Sequence, residues 1–208
     1  MLRAPTSVGA RSRFCHTERF SAKYLRSFFA PSSFRAQFML YKANYPMMKE
    51  KLLHIALRIY DAKEELSTPE AELLQEAKAA LSKSYSPYSK FEVGAAVRLV
   101  NGAVLSGANQ ENAAYPMCLC AEQVTLATAA SLHPGVAIES IAITVRSQLK
   151  TITEPASPCG ACRQVLCETE SRHQHSIRVI LQGETGPIFT LERAGDLMPL
   201  SFDGSFLE

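Results

Sequence analysis

Cys120-Ala121-Glu122 and Pro158-Cys159-Gly160-Ala161-Cys162 are the two stretches that decide this sequence, because each opens a helical run. The first leads into an Ala- and Leu-rich segment without Gly or Pro as far as residue 132, and the second into residues 160–169. Each candidate thiol therefore falls at a helix N-terminus, where free N–H groups and the positive dipole end favour thiolate over thiol. A lone cysteine plus a Cys-x-x-Cys pair makes three sulfurs. Catalytic zinc takes three protein ligands and keeps one position open for water, whereas a structural site fills all four. Cys118 and Cys167 fit less well as a fourth ligand. The first lies two residues before Cys120, where the chain turns into the helix and the side chains diverge; the second lies about a turn and a half beyond Cys162. Glu122 shares the first turn with Cys120, within reach of a metal-bound water without having to ligate the metal. Its carboxylate can take the water's proton and return it to a substrate. Each part alone is weak: a single Cys-x-x-Cys also suits redox chemistry or half a zinc knuckle, a lone Cys is more often a small buried apolar residue, and a single Glu is usually solvated.

The surrounding pattern predicts the frame. Apolar residues alternate over 53–59 (Leu53, Ile55, Leu57, Ile59), a period of two that predicts a strand, with an edge position expected. Ser67-Thr68-Pro69-Glu70 is a helix start, with a hydroxyl cap, a proline in the first turn and a carboxylate near the positive end; the helix is expected to run to about Ser84. Residues 91–100 and 103–108 are β-rich and flank Asn101-Gly102, a pair that tolerates the positive φ of a hairpin turn. Strands are expected over 138–145, 177–181 and 187–191. Strands alternating with helices predict an α/β domain whose sheet is covered on both faces.

Charge separates the chain into two parts. Residues 1–48 hold eight basic residues and one acid, while the remainder holds fourteen basic residues and nineteen acids. A net acidic domain is poorly equipped to bind a polyanion, which needs clustered Lys and Arg. No nucleic-acid partner is expected, and no membrane partner either, since no apolar run approaches the roughly 20 residues of a span. Clustered cysteines favour metal ligation in a reducing compartment over a disulfide framework. The first 47 residues are Arg- and Ser-rich and acid-poor, like an organellar transit peptide, with an upstream extension before Met47 or Met48 as the alternative. Residues 48–208 are expected to form one catalytic domain. The expected location is cytoplasmic, or organellar if the extension is a true transit peptide.

Taken together, the motifs correspond to the zinc deaminase signature, a first ligand and a non-ligand Glu followed by Pro-Cys-x-x-Cys. More specifically, residues from about 67 to 207 resemble the small homotetrameric cytidine deaminases. The resemblance rests on Ser86-Pro87-Tyr88-Ser89, Phe91-Glu92-Val93-Gly94-Ala95-Ala96, Asn109-Gln110-Glu111-Asn112, Tyr115-Pro116, Cys120-Ala121-Glu122 and Ser157-Pro158-Cys159-Gly160-Ala161-Cys162-Arg163-Gln164. It implies a three-layer α-β-α fold with a mixed sheet of about five strands, and Zn²⁺ on Cys120, Cys159 and Cys162. It also implies hydrolytic deamination of cytidine and deoxycytidine in pyrimidine salvage, with Glu122 moving the protons. By the same resemblance Asn109 and Glu111 contact the ribose hydroxyls, Phe91 packs on the pyrimidine, and Ala121 belongs to the substrate-contacting set. Tyr115 lies near the sugar at a subunit boundary, and Phe202 covers the base in a neighbouring subunit's site, so a homotetramer with shared sites is implied.

Two positions depart from the pattern. Gln123 stands where the family usually has Arg, so a positive charge beside the thiolates is missing; Gln123→Arg is expected to move the acidic limb of the pH-rate profile downward. Cys118 stands where small residues are common, and is expected to be an inert buried thiol. Alternatives to free cytidine are a modified or antibiotic aminonucleoside on the same fold, or a non-catalytic zinc-binding module. Against the first stand Asn109 and Glu111, which suit a plain ribose; the second needs a fourth ligand that the sequence does not offer.

Overall fold

The computed structural model describes residues 49–207. The basic stretch read as a transit-like extension lies outside the described residues. The elements alternate as expected: strand β1 (Arg58–Tyr60), helix α1 (Thr68–Ala80), strands β2 (Phe91–Leu99) and β3 (Val104–Ala108), helix α2 (Ala121–Leu132), strand β4 (Ile138–Ser147), helix α3 (Gly160–His173), and strands β5 (Arg178–Gln182) and β6 (Ile188–Leu191). They build one mixed sheet in the order β1-β6-β5-β4-β2-β3. Only β4 and β5 run parallel, and α3 is the crossover that this pairing requires.

Among the described residues six strands replace the five or so that the resemblance implied, one for each run in which the residue pattern predicts a strand. The alternation over 53–59 yields a strand of three residues only, paired Arg58↔Thr190, Ile59↔Phe189 and Tyr60↔Ile188. The reason is a short partner: β6 is four residues long and ends at Leu191, opposite residue 57, so residues 53–56 run past its end. Leu53, Ile55 and Leu57 remain exposed. At the hairpin, Gly102 alone takes a positive φ, of 86°. Leu99 accepts the N–H of Gly102 at 2.9 Å and donates to the carbonyl of Ala103 at 2.9 Å, so the connection is a three-residue loop closed by glycine, not a two-residue Asn-Gly turn.

The sheet is covered on both faces, as the resemblance implied. On one side α1 buries Leu73, Leu74 and Ala77 against Ala96, Ala142, Ile180 and Ile188. Its N-terminus falls at the predicted helix start and is fixed by a capping box, in which Ser67 donates its backbone N–H to Glu70 at 3.0 Å and its hydroxyl at 2.7 Å. On the other side α2 and α3 bring Leu126, Ala129 and Leu166 onto Ala95, Val97, Leu99, Ile141, Ile143, Val179 and Leu181. Alternate residues of β2 thus serve different layers, Ala95, Val97 and Leu99 facing α2 and α3 and Ala96 facing α1. Both helices on this second face start at the same edge of the sheet, beside the first residues of β2 and the last of β4. The two Cys motifs meet there.

Candidate active site

Cys120 is the N-cap of α2 and Cys159 the N-cap of α3, while Cys162 lies on the first turn of α3. Strand-to-helix connections bring these distant residues together. The three sulfurs lie within 4.8 Å of one another, the only such group of potential metal-binding side chains among the described residues. Cys120 and Cys159 sulfurs are 3.9 Å apart and those of Cys159 and Cys162 3.5 Å. Tetrahedral zinc with Zn–S bonds of about 2.3 Å requires sulfurs roughly 3.8 Å apart, so the donor set fits the ion in both type and spacing. Cys162 is fully buried, Cys120 half-buried and Cys159 exposed, so the cluster opens to solvent on one side.

The crowding already perturbs the thiols. A hydrogen bond from Cys162 brings Cys120 down to about 7, against the opposing effect of burial and of Glu122. The same hydrogen bond, with burial, pushes Cys162 upward. One sulfur thus gives up its proton readily while its neighbour holds on, and a divalent cation would displace both protons. Glu122 is buried, at 4% exposure, and burial pushes its carboxyl above the ordinary carboxylate range. A carboxyl that burial makes more basic than a solvated one is suited to taking and returning a proton.

These groups border a cavity of about 430 Å³. Its wall includes Phe91, Val93, Ile143 and Val145 from the strands, and Cys120, Cys159 and Glu122 from the helix starts. Asn109 and Glu111 also line it. Glu111 accepts the N–H groups of Tyr88 and Ser89 at 2.8 and 3.2 Å; the Ser89 hydroxyl leads the effects that hold its carboxyl below the usual range, so it stays anionic. Asn109 is more committed. Its Oδ1 accepts from the Ser84 hydroxyl at 2.6 Å and from Val93 N–H at 2.8 Å, and its Nδ2 donates to the Phe91 carbonyl at 3.0 Å.

Not every sequence-derived residue converges on the cavity. Ala121 is fully buried, and its carbonyl accepts the Thr125 hydroxyl at 2.8 Å. Tyr115 is 69% exposed, its ring centroid 6.0 Å from that of Tyr88. Phe202 is 56% exposed and stacks on Phe206. Gln123 accepts the Cys120 N–H at 3.4 Å, so it completes a capping box around the ligand. Cys118 corrects the expectation of a buried thiol: it is half-buried, lines the cavity, accepts the Asn112 N–H at 3.2 Å and stays outside the sulfur cluster. Cys167, on α3 itself, is buried and stands apart from the sulfur cluster, as its helical position implied. The apolar wall of Val93, Ile143 and Val145 was not foreseen; its signal is the two-residue period that sets Phe91, Val93, Ala95 and Val97 on one face of β2, with Glu92, Gly94, Ala96 and Arg98 on the other.

Comparison with known proteins agrees with this site. Residues 67–175 match the family model described as the cytidine and deoxycytidylate deaminase zinc-binding region. A cytidine deaminase of Halalkalibacterium halodurans is 45% identical over 98 residues, 46% of this chain and 68% of that protein. A cytidine deaminase of Mycobacterium tuberculosis is 34% identical over 129 residues, 61% of this chain and 84% of that protein. The crystal structure of cytidine deaminase from Burkholderia pseudomallei superposes with a TM-score of 0.56 at 37% identity, covering 66% of this chain and all of that one. The chain belongs to the cytidine and deoxycytidylate deaminase family, whose shared region is a zinc-binding one.

Proposed function

We propose that this protein hydrolyses free cytidine and deoxycytidine to uridine and deoxyuridine with release of ammonia. The observation that carries the reading is the meeting of three sulfurs at zinc-compatible spacing with a buried, raised carboxyl, where Cys120, Cys159 and Glu122 line one cavity and Cys162 lies buried behind them. Cys120, Cys159 and Cys162 hold Zn²⁺, which when bound leaves a position for water and lowers its pKa towards about 7. Glu122 takes the proton from the attacking water as its oxygen adds to C4 of the cytosine ring. It passes that proton to N3 of the ring, then takes the remaining proton of the new C4 hydroxyl and gives it to the amino group; C4=O forms as the C4–N bond breaks, and ammonia leaves. Phe91, Val93, Ile143 and Val145 give a flat apolar slot for the pyrimidine and keep bulk water from the reacting carbon. Glu111, anionic at the cavity edge, accepts hydrogen bonds from ribose hydroxyls, while Asn109 holds the wall and keeps one amide hydrogen for the sugar.

The finer arrangement belongs to the same proposal. Tyr115 and Phe202, exposed and outside the cavity of their own chain, act at boundaries of a homotetramer, with Phe202 reaching a neighbour's base. Exposed Tyr88, Met117 and Leu119 near the cavity mouth support such a covered face. Free thiols support a reducing compartment, and we place the protein in the cytoplasm, serving pyrimidine salvage.

The test is direct. Purified protein is assayed for ammonia release from cytidine, deoxycytidine and an aminonucleoside antibiotic, with zinc content and sedimentation mass measured on the same sample. Turnover of cytidine with about one zinc per chain is expected; zinc without turnover of any nucleoside would leave a binding module instead.

A further inference from the structure

Helix α3 carries Cys162 and also grips the C-terminal segment of the chain. Glu170 accepts the N–H groups of Ala194 and Gly195 at 2.8 and 2.9 Å, and Gln164 donates through Nε2 to the carbonyl of Phe202 at 2.8 Å. Arg163 makes a fourth bond of this kind, from Nη1 to the carbonyl of Leu197 at 3.0 Å. What separates Arg163 from the others is a bond back to the stretch that carries the metal-binding motif, from Nε to the carbonyl of Pro158 at 2.8 Å.

That carbonyl belongs to the peptide bond leading into Cys159. Cys159 is an N-cap, with φ of −67° and ψ of 168°, so its backbone lies outside the helix. The carbonyl before an N-cap has no intrahelical partner. The carbonyl of Cys159 itself accepts the backbone N–H of Arg163 at 3.0 Å. One residue therefore holds the carbonyl on each side of Cys159, one with its backbone and one with its side chain. Cys162, by contrast, is buried within the helix, and Cys120 is boxed by Gln123. Cys159 is the exposed donor of the three, and the backbone on its N-terminal side is tied to α3 by this guanidinium. A planar fork suits the task because it can donate in two directions at once, with Leu197 fixing its far side.

We infer that Arg163 is the positioning residue for Cys159: it locks the peptide group entering this ligand and so sets how firmly the chain retains its metal. The inference rests on the zinc site proposed above. It predicts a property of metal retention that a role confined to anchoring the C-terminal segment would not produce.

The experiment uses the full chain loaded with zinc and follows release of the ion to an excess of chromogenic chelator. Arg163→Gln is expected to release zinc on the order of tenfold faster than the unsubstituted protein, the lower end of what loss of a ligand-orienting bond commonly costs. Arg163→Lys, a point charge without the fork, is expected to fall between the two. Arg172→Gln, which removes the same charge from the far end of α3, is expected to leave the rate unchanged. In cobalt-loaded protein the thiolate absorption bands should shift in Arg163→Gln and stay in place in Arg172→Gln. An Arg163→Gln protein that releases zinc at the original rate overturns the inference while leaving the zinc site standing. If Arg163→Gln does not fold, Arg163→Lys decides, and an unchanged rate there overturns it equally. An unsubstituted chain that binds no zinc overturns the zinc site and this inference together.

Discussion

Gly94 passes beneath helix α1 so closely that a Cβ placed on it would stand 2.1 Å from the carbonyl oxygen of Ala77. The obstacle is backbone and cannot swing aside. Gly94→Ala must therefore lift α1 from the sheet and loosen the packing of Leu73 and Leu74, which are buried to 2% exposure or less. A loss of about 2–3 kcal/mol is expected in urea unfolding, the upper part of the range for overpacked cores. An effect below about 0.5 kcal/mol would mean that the helix is not pinned to the sheet at this point.

Glu122→Gln keeps the shape of the buried side chain and removes its ability to exchange a proton. Turnover of cytidine is expected to fall by about 10²–10⁴-fold, the usual contribution of a positioned acid–base group. Zinc content should not change, since the three sulfurs supply the ligands and the carboxyl is not among them. Loss of the metal together with activity would make Glu122 part of the donor set and refute the assigned role.

Asn109→Ala tests a division of labour that its chemistry alone does not reveal. The side chain meets Ser84, Val93 and Phe91, and Val93 also accepts the Asn109 N–H at 3.1 Å, so the amide continues the β2–β3 ladder by one more rung. Removing it leaves the Val93 N–H and the Phe91 carbonyl without partners. A loss of about 2–3 kcal/mol is expected in the absence of substrate, with a fall in Tm of roughly 4–12 °C for a chain of this size. A variant as stable as the original but with a raised KM would make Asn109 a substrate contact only.

How far the sequence carried depends on whether a signal is local. The helix start at Ser67 and Glu70, the three thiols at helix starts and the alternation of strands with helices are written within a few residues of one another, and all appear in the structure. The length of β1 was not legible, because alternation over residues 53–59 states what a strand would look like and not whether β6 extends far enough to pair with it. Cys118 was misjudged for a related reason: its exposure depends on the cavity formed by β2 and β4, which no neighbouring residue encodes. Arg163 lay in a quoted motif, yet its partners at Pro158 and Leu197 emerge only once the C-terminal segment returns to α3.

Glu70 joins the N-terminus of α1 to strand β5, and this gives the fold an acid-sensitive tie. Its carboxyl accepts both the N–H and hydroxyl of Ser67 and pairs with Arg178, which also reaches Glu192 at 2.6 Å. Burial acts to raise the carboxyl and is its largest single influence, but the bonds from Ser67 and the Arg178 guanidinium together outweigh it and leave the group below its usual value of 4.5. A carboxyl lowered in the folded state stabilises the protein above its unfolded value and loses that contribution as pH falls through the lower, folded one. Glu70→Gln is therefore expected to cost about 1–2 kcal/mol at pH 7, where the charge-assisted bonds are intact. The gap between the two proteins should hold down to about pH 5 and narrow steadily below pH 4.5, as the carboxylate of the unsubstituted protein takes up its proton. Urea unfolding at pH 7, 5, 4 and 3 measures it, and a gap that stays constant or widens towards pH 3 would show that the tie between α1 and β5 is not electrostatic.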